Sequence, residues 1–277
     1  MIYERPNSLG DLKLSRSVSQ TPNNENAQEG LFRQRISTPL PYNGTGRHVR
    51  QMGLTHDGVM FYCKDDTPPY PVRAAECLSY QLAAHVGIAV PDFAILENPS
   101  GDTFFGSADL VRNAQPLEVQ SILRTPQLNE LGARADWPGQ YFSRLNAFDM
   151  FIKNYDRHSS NFVVTYEGGK LRLCAIDFGS ADYKALITDS FPDATSRTAQ
   201  LSEITRRVHG EHIAAGFALL DELRDTPRRV IDRFLNVCPA DWIEGGFAEA
   251  VSAAWGGPEF NDRIIALRKR LKDAGDV

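Results

Sequence analysis

Three polar side chains in the middle of the chain, Asp156, Asn161 and Asp177, have the residue types and spacing of a metal site beside an acid or base. They lie in the segment NYDRHSSNFVVTYEGGKLRLCAIDFG. Magnesium takes oxygen ligands and shares its coordination with water and substrate phosphates. An amide oxygen and a carboxylate placed together therefore predict a Mg²⁺ site formed by Asn161 and Asp177.

A β-hairpin could bring those two ligands together. The runs NFVVT and LRLCAI are rich in strand-forming residues and are separated by a turn sequence. A three-residue loop at 168–170 would pair Glu167 with Leu171 and would place Asn161 opposite Asp177. The sequence therefore predicts that both ligands lie at one end of the hairpin.

Upstream residues supply further parts of a phosphoryl-transfer site. Asp156, five residues before Asn161, is a candidate general base or a group that orients a hydroxyl. Lys64 ends the predicted strand VMFYCK and could bind nucleotide phosphates. Glu76, twelve residues later on a predicted helix, could hold Lys64 by an ion pair, although each could instead be an exposed surface residue. The order of these residues is that of a kinase active site and predicts ATP and Mg²⁺ as cofactors.

Two other features have both a functional and a structural interpretation. The glycines of NGTGRH, Gly44 and Gly46, would let backbone amides approach a phosphate, but the same sequence forms ordinary turns. His158 could contact the transferring phosphate or could hydrogen-bond within its own loop. Both alternatives stay open at the level of sequence.

The motif NYDRHSSN followed by AIDFG resembles the catalytic loop and metal-binding turn of HipA-like kinases, and its D-R-H-x-x-N core is similar to that of phosphatidylinositol 3-kinase-related kinases. AAECLSYQLAAHVGIAVPDFAIL also resembles the N-lobe helix and following strand of the HipA-like group. The resemblance implies a bilobal α+β kinase fold with Asp156 as catalytic residue. It further implies that Asn161 and Asp177 are metal ligands and that His158 supports the catalytic loop.

The chain also departs from ordinary protein kinases. Its loop reads D-R-H rather than H-R-D, no A-P-E segment follows D-F-G, and no full Gly-x-Gly-x-x-Gly precedes Lys64. These departures leave the phosphate-binding loop as the least defined part of the predicted site.

Three segments are predicted along the chain. Residues 1–30 are rich in Asn, Ser, Gln and Gly and predict a flexible arm. Residues 31–105 alternate in the manner of strands, contain one helix, and predict a small β-rich N-lobe. Residues 106–277 show repeated helical periodicity and predict a mainly helical C-lobe. The turn-rich stretch around residue 100 marks the boundary, although Phe104 and Phe105 could belong to a strand, to the core or to an adenine pocket.

Composition narrows the class of protein. A net charge of -5 gives no basic field, so direct binding to nucleic acid is not expected. The four cysteines stand far apart, which predicts buried free thiols rather than disulfides or a zinc site. No membrane span and no signal peptide are evident, so a cytoplasmic location is expected.

The phosphate acceptor remains open. The resemblance favours a Ser/Thr protein kinase with an unidentified protein substrate, within a toxin–antitoxin or other regulatory system that includes an antitoxin or regulatory partner. A phosphoinositide or small-molecule kinase has the same core residues. A pseudokinase that binds nucleotide and acts as a scaffold is the third alternative.

Overall fold

The computed structural model describes residues 33–44, 46–110, 116–167, 170–186 and 191–275. The predicted N-terminal arm, residues 1–30, lies outside these ranges. Within them, a β-rich N-terminal part precedes a helical C-terminal part, as the sequence predicts. No helix of the described ranges is both long and apolar enough to cross a membrane.

The N-terminal part is built on a small five-stranded barrel. Its strands are β1 Arg33–Pro41, β2 Val49–Thr55, β3 Met60–Lys64, β4 Phe93–Glu97 and β5 Thr103–Ala108. They close in the order β1-β2-β3-β5-β4, and every neighbouring pair is antiparallel except β1 and β4. Its interior is apolar, as the alternating pattern requires, and includes Ile36, Phe61, Cys63, Ala94, Leu96 and Phe104.

Strand β3 confirms the prediction made from the run VMFYCK. Phe61 and Cys63 alternate into the barrel and are buried, because successive strand residues point to opposite faces. The preceding turn contains Gly58 at φ 77°. The strand therefore delivers Lys64, its last residue, to the edge of the barrel that faces the helical part.

Helix α1, Val72–His85, follows β3 and packs on the barrel. Ala75, Leu78 and Leu82 on its apolar stripe are fully buried. The helix ends where Gly87 takes a φ of +71°, the usual helix-terminating conformation. Both the helix and its glycine end agree with the sequence pattern.

Strands β4 and β5 complete the barrel. Pro91 suggests an edge or a bulge in the strand that contains it, but β4 begins only at Phe93 and pairs with strands on both sides. Closing the barrel removes the edge, so the proline lies before the strand, where its missing N–H costs nothing. Phe105 is fully buried in the core. Strand β5 continues to Ala108, beyond the boundary predicted at residue 105.

The C-terminal part is mainly helical. Its helices are α2 Pro116–Arg124, α3 Trp137–Phe151, α4 Arg197–His209, α5 Ile213–Asp225, α6 Arg228–Val237, α7 Phe247–Ala254 and α8 Pro258–Gly275. Helix α3 is central, with Leu145 and Phe148 buried in a core that continues into α1. This shared core joins the barrel side of the molecule to the helices.

A β-hairpin of β6, Phe162–Glu167, and β7, Lys170–Ala175, follows α3. The hairpin is present as predicted, but its predicted register is wrong by one residue. Glu167 pairs with Lys170 rather than with Leu171. This pairing leaves two residues between the strands rather than the predicted three. Asn161 is therefore opposite Ile176, whose N–H donates to the Asn161 carbonyl at 3.0 Å.

Candidate active site

A cleft of about 1170 Å³ lies between the barrel and the helical part. The predicted site residues Gly44, Gly46, Lys64, Asp156, His158 and Asp177 all line it. Glu76 and Asn161 are buried, at 0% and 1% exposure, and contact the lining residues from behind. The fold thus brings every residue of the predicted site to one place.

Lys64 connects the two halves of this cleft. Its Nζ atom lies 2.5 Å from Oε1 of Glu76 and 2.8 Å from Oδ1 of Asp177. Burial by itself lowers the pKa of the lysine, but the two carboxylates outweigh it and raise the pKa above its usual value. The ammonium therefore stays charged at neutral pH. The Glu76 ion pair is as predicted, whereas the contact with Asp177 was not foreseen.

Glu76 is a structural anchor on α1. Its Oε1 atom accepts hydrogen bonds from Lys64 and from the backbone N–H of Gly179, the latter at 2.9 Å. A Cβ at position 179 would lie 2.9 Å from Val72 Cγ1 and 3.2 Å from Glu76 Oε1, so a glycine is needed there. Burial raises the pKa of Glu76 to about 7, and Lys64 opposes that rise. The alternative of an exposed helix glutamate is excluded.

Asp177 has an unusual backbone. Its φ is +63°, a left-handed conformation that non-glycine residues rarely adopt and that is concentrated at functional sites. Its side chain is 42% exposed and lines the cleft. Burial acts to raise the pKa of this carboxyl, but the Lys64 ammonium lowers it well below the usual range. Asp177 is therefore an anion at any physiological pH.

Asn161 provides a buried amide oxygen. Its Nδ2 atom donates to the Asp177 carbonyl at 3.4 Å, which holds the amide beside the D-F-G turn. Its Oδ1 atom is buried and has no hydrogen-bond partner among the residues that the structure describes. Buried polar atoms are nearly always paired, so an orphan acceptor needs an explanation. A cation in the cleft would provide one.

The two side chains fit a magnesium ion as donors. Both offer hard oxygen ligands, and Mg²⁺ commonly uses one or two protein ligands and completes its shell with water and phosphate. Among the described residues, no group of three or more His, Cys, Asp or Glu side chains could hold a metal by itself. A shared site of this kind, rather than a closed protein cage, is what the chemistry of the donors supports.

Asp156 lies in the loop before Asn161 and is partly exposed to the cleft. Its Oδ1 atom lies 3.0 Å from Nη1 of Arg197, in an ion pair whose side chains are 46% and 61% exposed. The backbone N–H of Asp156 donates to Asn154 Oδ1 at 3.3 Å. The loop therefore presents the carboxylate to the cleft with an arginine across it.

A buried Asp149–Arg157 pair, which sequence reasoning missed, supports this loop. Arg157 Nε lies 2.8 Å and Nη2 3.0 Å from the Asp149 carboxylate. The same guanidinium donates to the carbonyls of Asn161 and Ile176 and stacks on Phe178 at 4.3 Å. It thus joins α3, the loop that contains Asp156 and the D-F-G turn. An aspartate in the apolar run AFDMF was the signal that could have revealed it.

Thr198, in the first turn of α4, is a second support. Its hydroxyl donates to the Asn154 carbonyl at 2.6 Å and accepts from the Arg157 N–H at 3.0 Å. Threonine can do both because its hydroxyl is donor and acceptor. The loop that contains Asp156 is therefore fixed between α3 and α4.

His158 is partly buried and shapes its own loop. Its Nδ1 atom accepts the Ser160 N–H at 3.2 Å and so begins the short 3₁₀ turn Ser159–Asn161. Burial lowers the pKa of the ring, while Asp156 opposes that shift. This geometry favours the loop-supporting alternative, and a phosphate contact stays a prediction because the ring also lines the cleft.

The glycine segment of the cleft wraps around Tyr42. A Cβ on Gly44 would lie 2.3 Å from Tyr42 Oη, and the Gly46 N–H donates to the same oxygen at 3.0 Å. The glycines thus have a packing role, and their phosphate-binding role remains a prediction. Arg47 and His48, which the sequence did not single out, also line the cleft.

The chain has a protein kinase-like fold, as the sequence resemblance implies. The crystal structure of the Helicobacter pylori proinflammatory kinase CtkA is similar to it, with a TM-score of 0.55 and 11% identity over 87% of this chain and 96% of CtkA.

Two further solved structures match with lower scores. HipA of Shewanella oneidensis MR-1, from a toxin–antitoxin complex with HipB and operator DNA, matches over 86% of this chain and 65% of that chain, with 11% identity and a TM-score of 0.45. The Golgi casein kinase with Mn/ADP bound matches over 91% of this chain and 74% of that chain, with 14% identity and a TM-score of 0.40. No protein-family model and no curated protein sequence matches the chain.

Proposed function

We propose that this chain is an ATP- and Mg²⁺-dependent kinase that transfers the γ-phosphoryl group of ATP to a hydroxyl group. One observation carries the proposal: the ammonium of Lys64 sits between Glu76 and Asp177 in the same cleft that Asp156 faces. Phosphoryl transfer requires mainly positioning and neutralisation of charge, and these are the groups that supply both.

Lys64 is the phosphate-binding cation in this proposal. It is nearly buried, and its position is set by Glu76 from α1 and by the end of β3. Low exposure strengthens its interaction with an anion relative to water. Glu76 makes no contact with substrate and acts by holding the lysine.

Asn161 and Asp177 would hold the magnesium ion. The buried Oδ1 atom of Asn161 and the ionised carboxylate of Asp177 would supply two oxygen ligands. A bound Mg²⁺ would neutralise charge on the phosphate oxygens. The Arg157 network fixes the backbone carbonyls of the strand ends that bear both ligands.

Asp156 receives the proton of the acceptor. The acceptor oxygen forms a bond to the γ-phosphorus, the bond from that phosphorus to the β–γ bridging oxygen breaks, and ADP leaves with the electron pair. The hydroxyl proton passes to the Asp156 carboxylate. Because the pair with Arg197 is exposed, it is weak and releases the carboxylate at little cost.

The acceptor in this proposal is a Ser or Thr hydroxyl of a protein. The barrel with α1 acts as the small lobe and the helical part as the large lobe, and the open cleft of about 1170 Å³ between them admits a nucleotide. The partly exposed Asp156 at its mouth suits an acceptor on a macromolecule, which enters from outside.

Transfer of labelled phosphate from [γ-³²P]ATP to the protein itself and to a cell extract, with Mg²⁺ present, tests the proposal. The wild-type chain should transfer label, and Asp156→Ala should lose at least about a hundredfold, the usual scale for an acid or base. Asp273→Ala is the matched control, because Asp273 is exposed on α8 and away from the cleft. Equal rates for wild type and Asp156→Ala would contradict the proposal.

A further inference from the structure

A second, smaller cavity opens next to the cleft. This groove has a volume of about 420 Å³ and lies between α2, the catalytic loop and α4. It shares His158 and Arg197 with the cleft. Arg197, which lines the groove, is paired with Asp156, so the groove lies directly beside the proposed catalytic carboxylate.

Among the described residues that line the groove, the charged side chains are those of two arginines. Arg124 at the end of α2 and Arg197 at the start of α4 both line it. Among the described residues that line it, none is Asp or Glu; the others are Gln120, Leu123, His158, Ser159, Gln200, Leu201 and Ile204. The positive charge of this lining differs from that of the chain as a whole, which carries a net charge of -5. A negatively charged group is the complementary occupant.

The remaining lining suits a polypeptide. Of the aliphatic residues that line the groove, Leu123 and Leu201 are buried, and Ile204, which is 42% exposed, offers an apolar contact. The amide of Gln120 can pair with a backbone, as can Oε1 of Gln200, whose Nε2 atom donates to the Thr195 carbonyl at 3.0 Å. Two arginines match single carboxylates better than a headgroup with several phosphates, which would require a denser cluster of cations.

Arg197 connects the groove to catalysis. Its side chain is 61% exposed and binds Asp156 across the boundary between the two cavities. An exposed ion pair contributes about 0–1 kcal/mol, so a carboxylate entering the groove competes effectively for the guanidinium. Binding of an acidic segment would thus free Asp156 at the place where the acceptor hydroxyl arrives.

We propose that this groove is the acceptor subsite and that it binds a polypeptide segment with Asp or Glu flanking the Ser or Thr to be phosphorylated. The inference rests on the proposed kinase function. It adds the class of acceptor and assigns Arg124 and Arg197 as the residues that select it.

Direct binding tests the subsite without requiring catalysis. Short fluorescein-labelled peptides with one central Ser, flanked by Glu, Gln or Lys, are titrated with the full chain and followed by anisotropy at low and high salt. The Glu-flanked peptide should bind at least about tenfold more tightly than the Gln-flanked peptide, a difference of about 1.4 kcal/mol. The preference should shrink at high salt because exposed charges are screened.

Charge reversal locates the binding. Arg124→Glu and Arg124→Gln should each remove the preference for Glu flanks, and the first should favour Lys flanks. Arg124 is exposed, so both variants should fold, which circular dichroism verifies. Arg229→Glu, an equal charge change at an exposed position in the first turn of α6, should leave the preference as in wild type.

Three results would overturn the subsite: equal binding of the Glu-flanked and Lys-flanked peptides, no detectable binding of the Glu-flanked peptide, or an equal loss in Arg229→Glu. Inositol 1,4,5-trisphosphate competing for the groove better than the Glu-flanked peptide would also overturn it. Labelled-phosphate transfer to the same peptides is measured separately. Selective binding without any transfer would contradict the kinase function, whereas transfer without selectivity would contradict the subsite alone.

Discussion

Lys64 Nζ lies 2.8 Å from Oδ1 of Asp177, a residue 113 positions later in the chain. This ion pair joins the end of a barrel strand to the D-F-G turn and is completed by Glu76 on the other side of the ammonium. A single ammonium thus contacts two carboxylates, and removing the lysine leaves both of them without their charge partner.

Lys64→Met should reduce phosphate transfer by at least about a hundredfold, because one preorganised electrostatic group commonly contributes that much. It should also destabilise the fold by about 3–5 kcal/mol, since it leaves Glu76 buried without its partner. Urea unfolding measures the second effect. The double variant Lys64→Met/Glu76→Gln should recover much of the stability but not the activity. Recovery of both would show that the lysine has only a structural role.

Asn161→Ala should separate stability from function. Among the described residues its Oδ1 atom has no partner, and the hydrogen bond that its Nδ2 atom donates to the Asp177 carbonyl is long at 3.4 Å. The substitution should therefore cost only about 1 kcal/mol of unfolding free energy. Transfer should nevertheless fall about a hundredfold, with the Mg²⁺ concentration at half-maximal rate shifted upward. A large loss of stability with unchanged metal dependence would contradict the ligand role.

The Asp177 carboxyl should produce a specific dependence of stability on pH. Lys64 outweighs burial and lowers the folded-state pKa below the ordinary value of 3.8. A depressed folded pKa contributes stability that is present above the unfolded value and is lost as the pH falls towards the folded value. Wild type and Asp177→Asn should therefore differ in unfolding free energy at pH about 5, and the difference should shrink as the pH falls below about 4.

Urea titrations across this range check the Asp177 prediction. Asp273→Asn, an exposed carboxylate on α8, is the control and should show no comparable change. A difference that grows as the pH falls below about 4 would have the wrong sign for a carboxylate held ionised by Lys64.

Arg157→Met should destabilise the protein by about 3–5 kcal/mol, because it leaves the buried Asp149 without its charge partner. Arg157→Lys should also be destabilising, since lysine cannot reproduce the two-pronged contact with the carboxylate. Chemical unfolding gives both values. Arg207→Met removes an exposed i,i+4 pair with Glu203 and should cost less than about 1 kcal/mol. Similar losses at the two positions would contradict the buried role of Arg157.

The elements that the sequence predicts best are those whose structure depends on local periodicity. Strand β3 and helix α1 follow from alternation and helical spacing, and they place Lys64 and Glu76 on facing elements. The predicted register of the β6–β7 hairpin is wrong by one residue. Register depends on loop length, and the strand pattern alone does not distinguish a two-residue loop from a three-residue loop. Asn161 and Asp177 still meet, through the Asn161 amide and the Asp177 carbonyl.

By itself, the sequence determined the types and order of the groups that can do chemistry: a lysine and glutamate on adjacent elements, then Asp156, Asn161 and Asp177. Short-range backbone periods also predict the strand and the helix that carry the lysine and the glutamate. Only the tertiary structure decided that Lys64 also binds Asp177, that Arg157 pairs with Asp149 and that Arg197 covers Asp156. Such contacts join separate elements, and which side chains meet there depends on how the elements pack, a property that no local pattern contains.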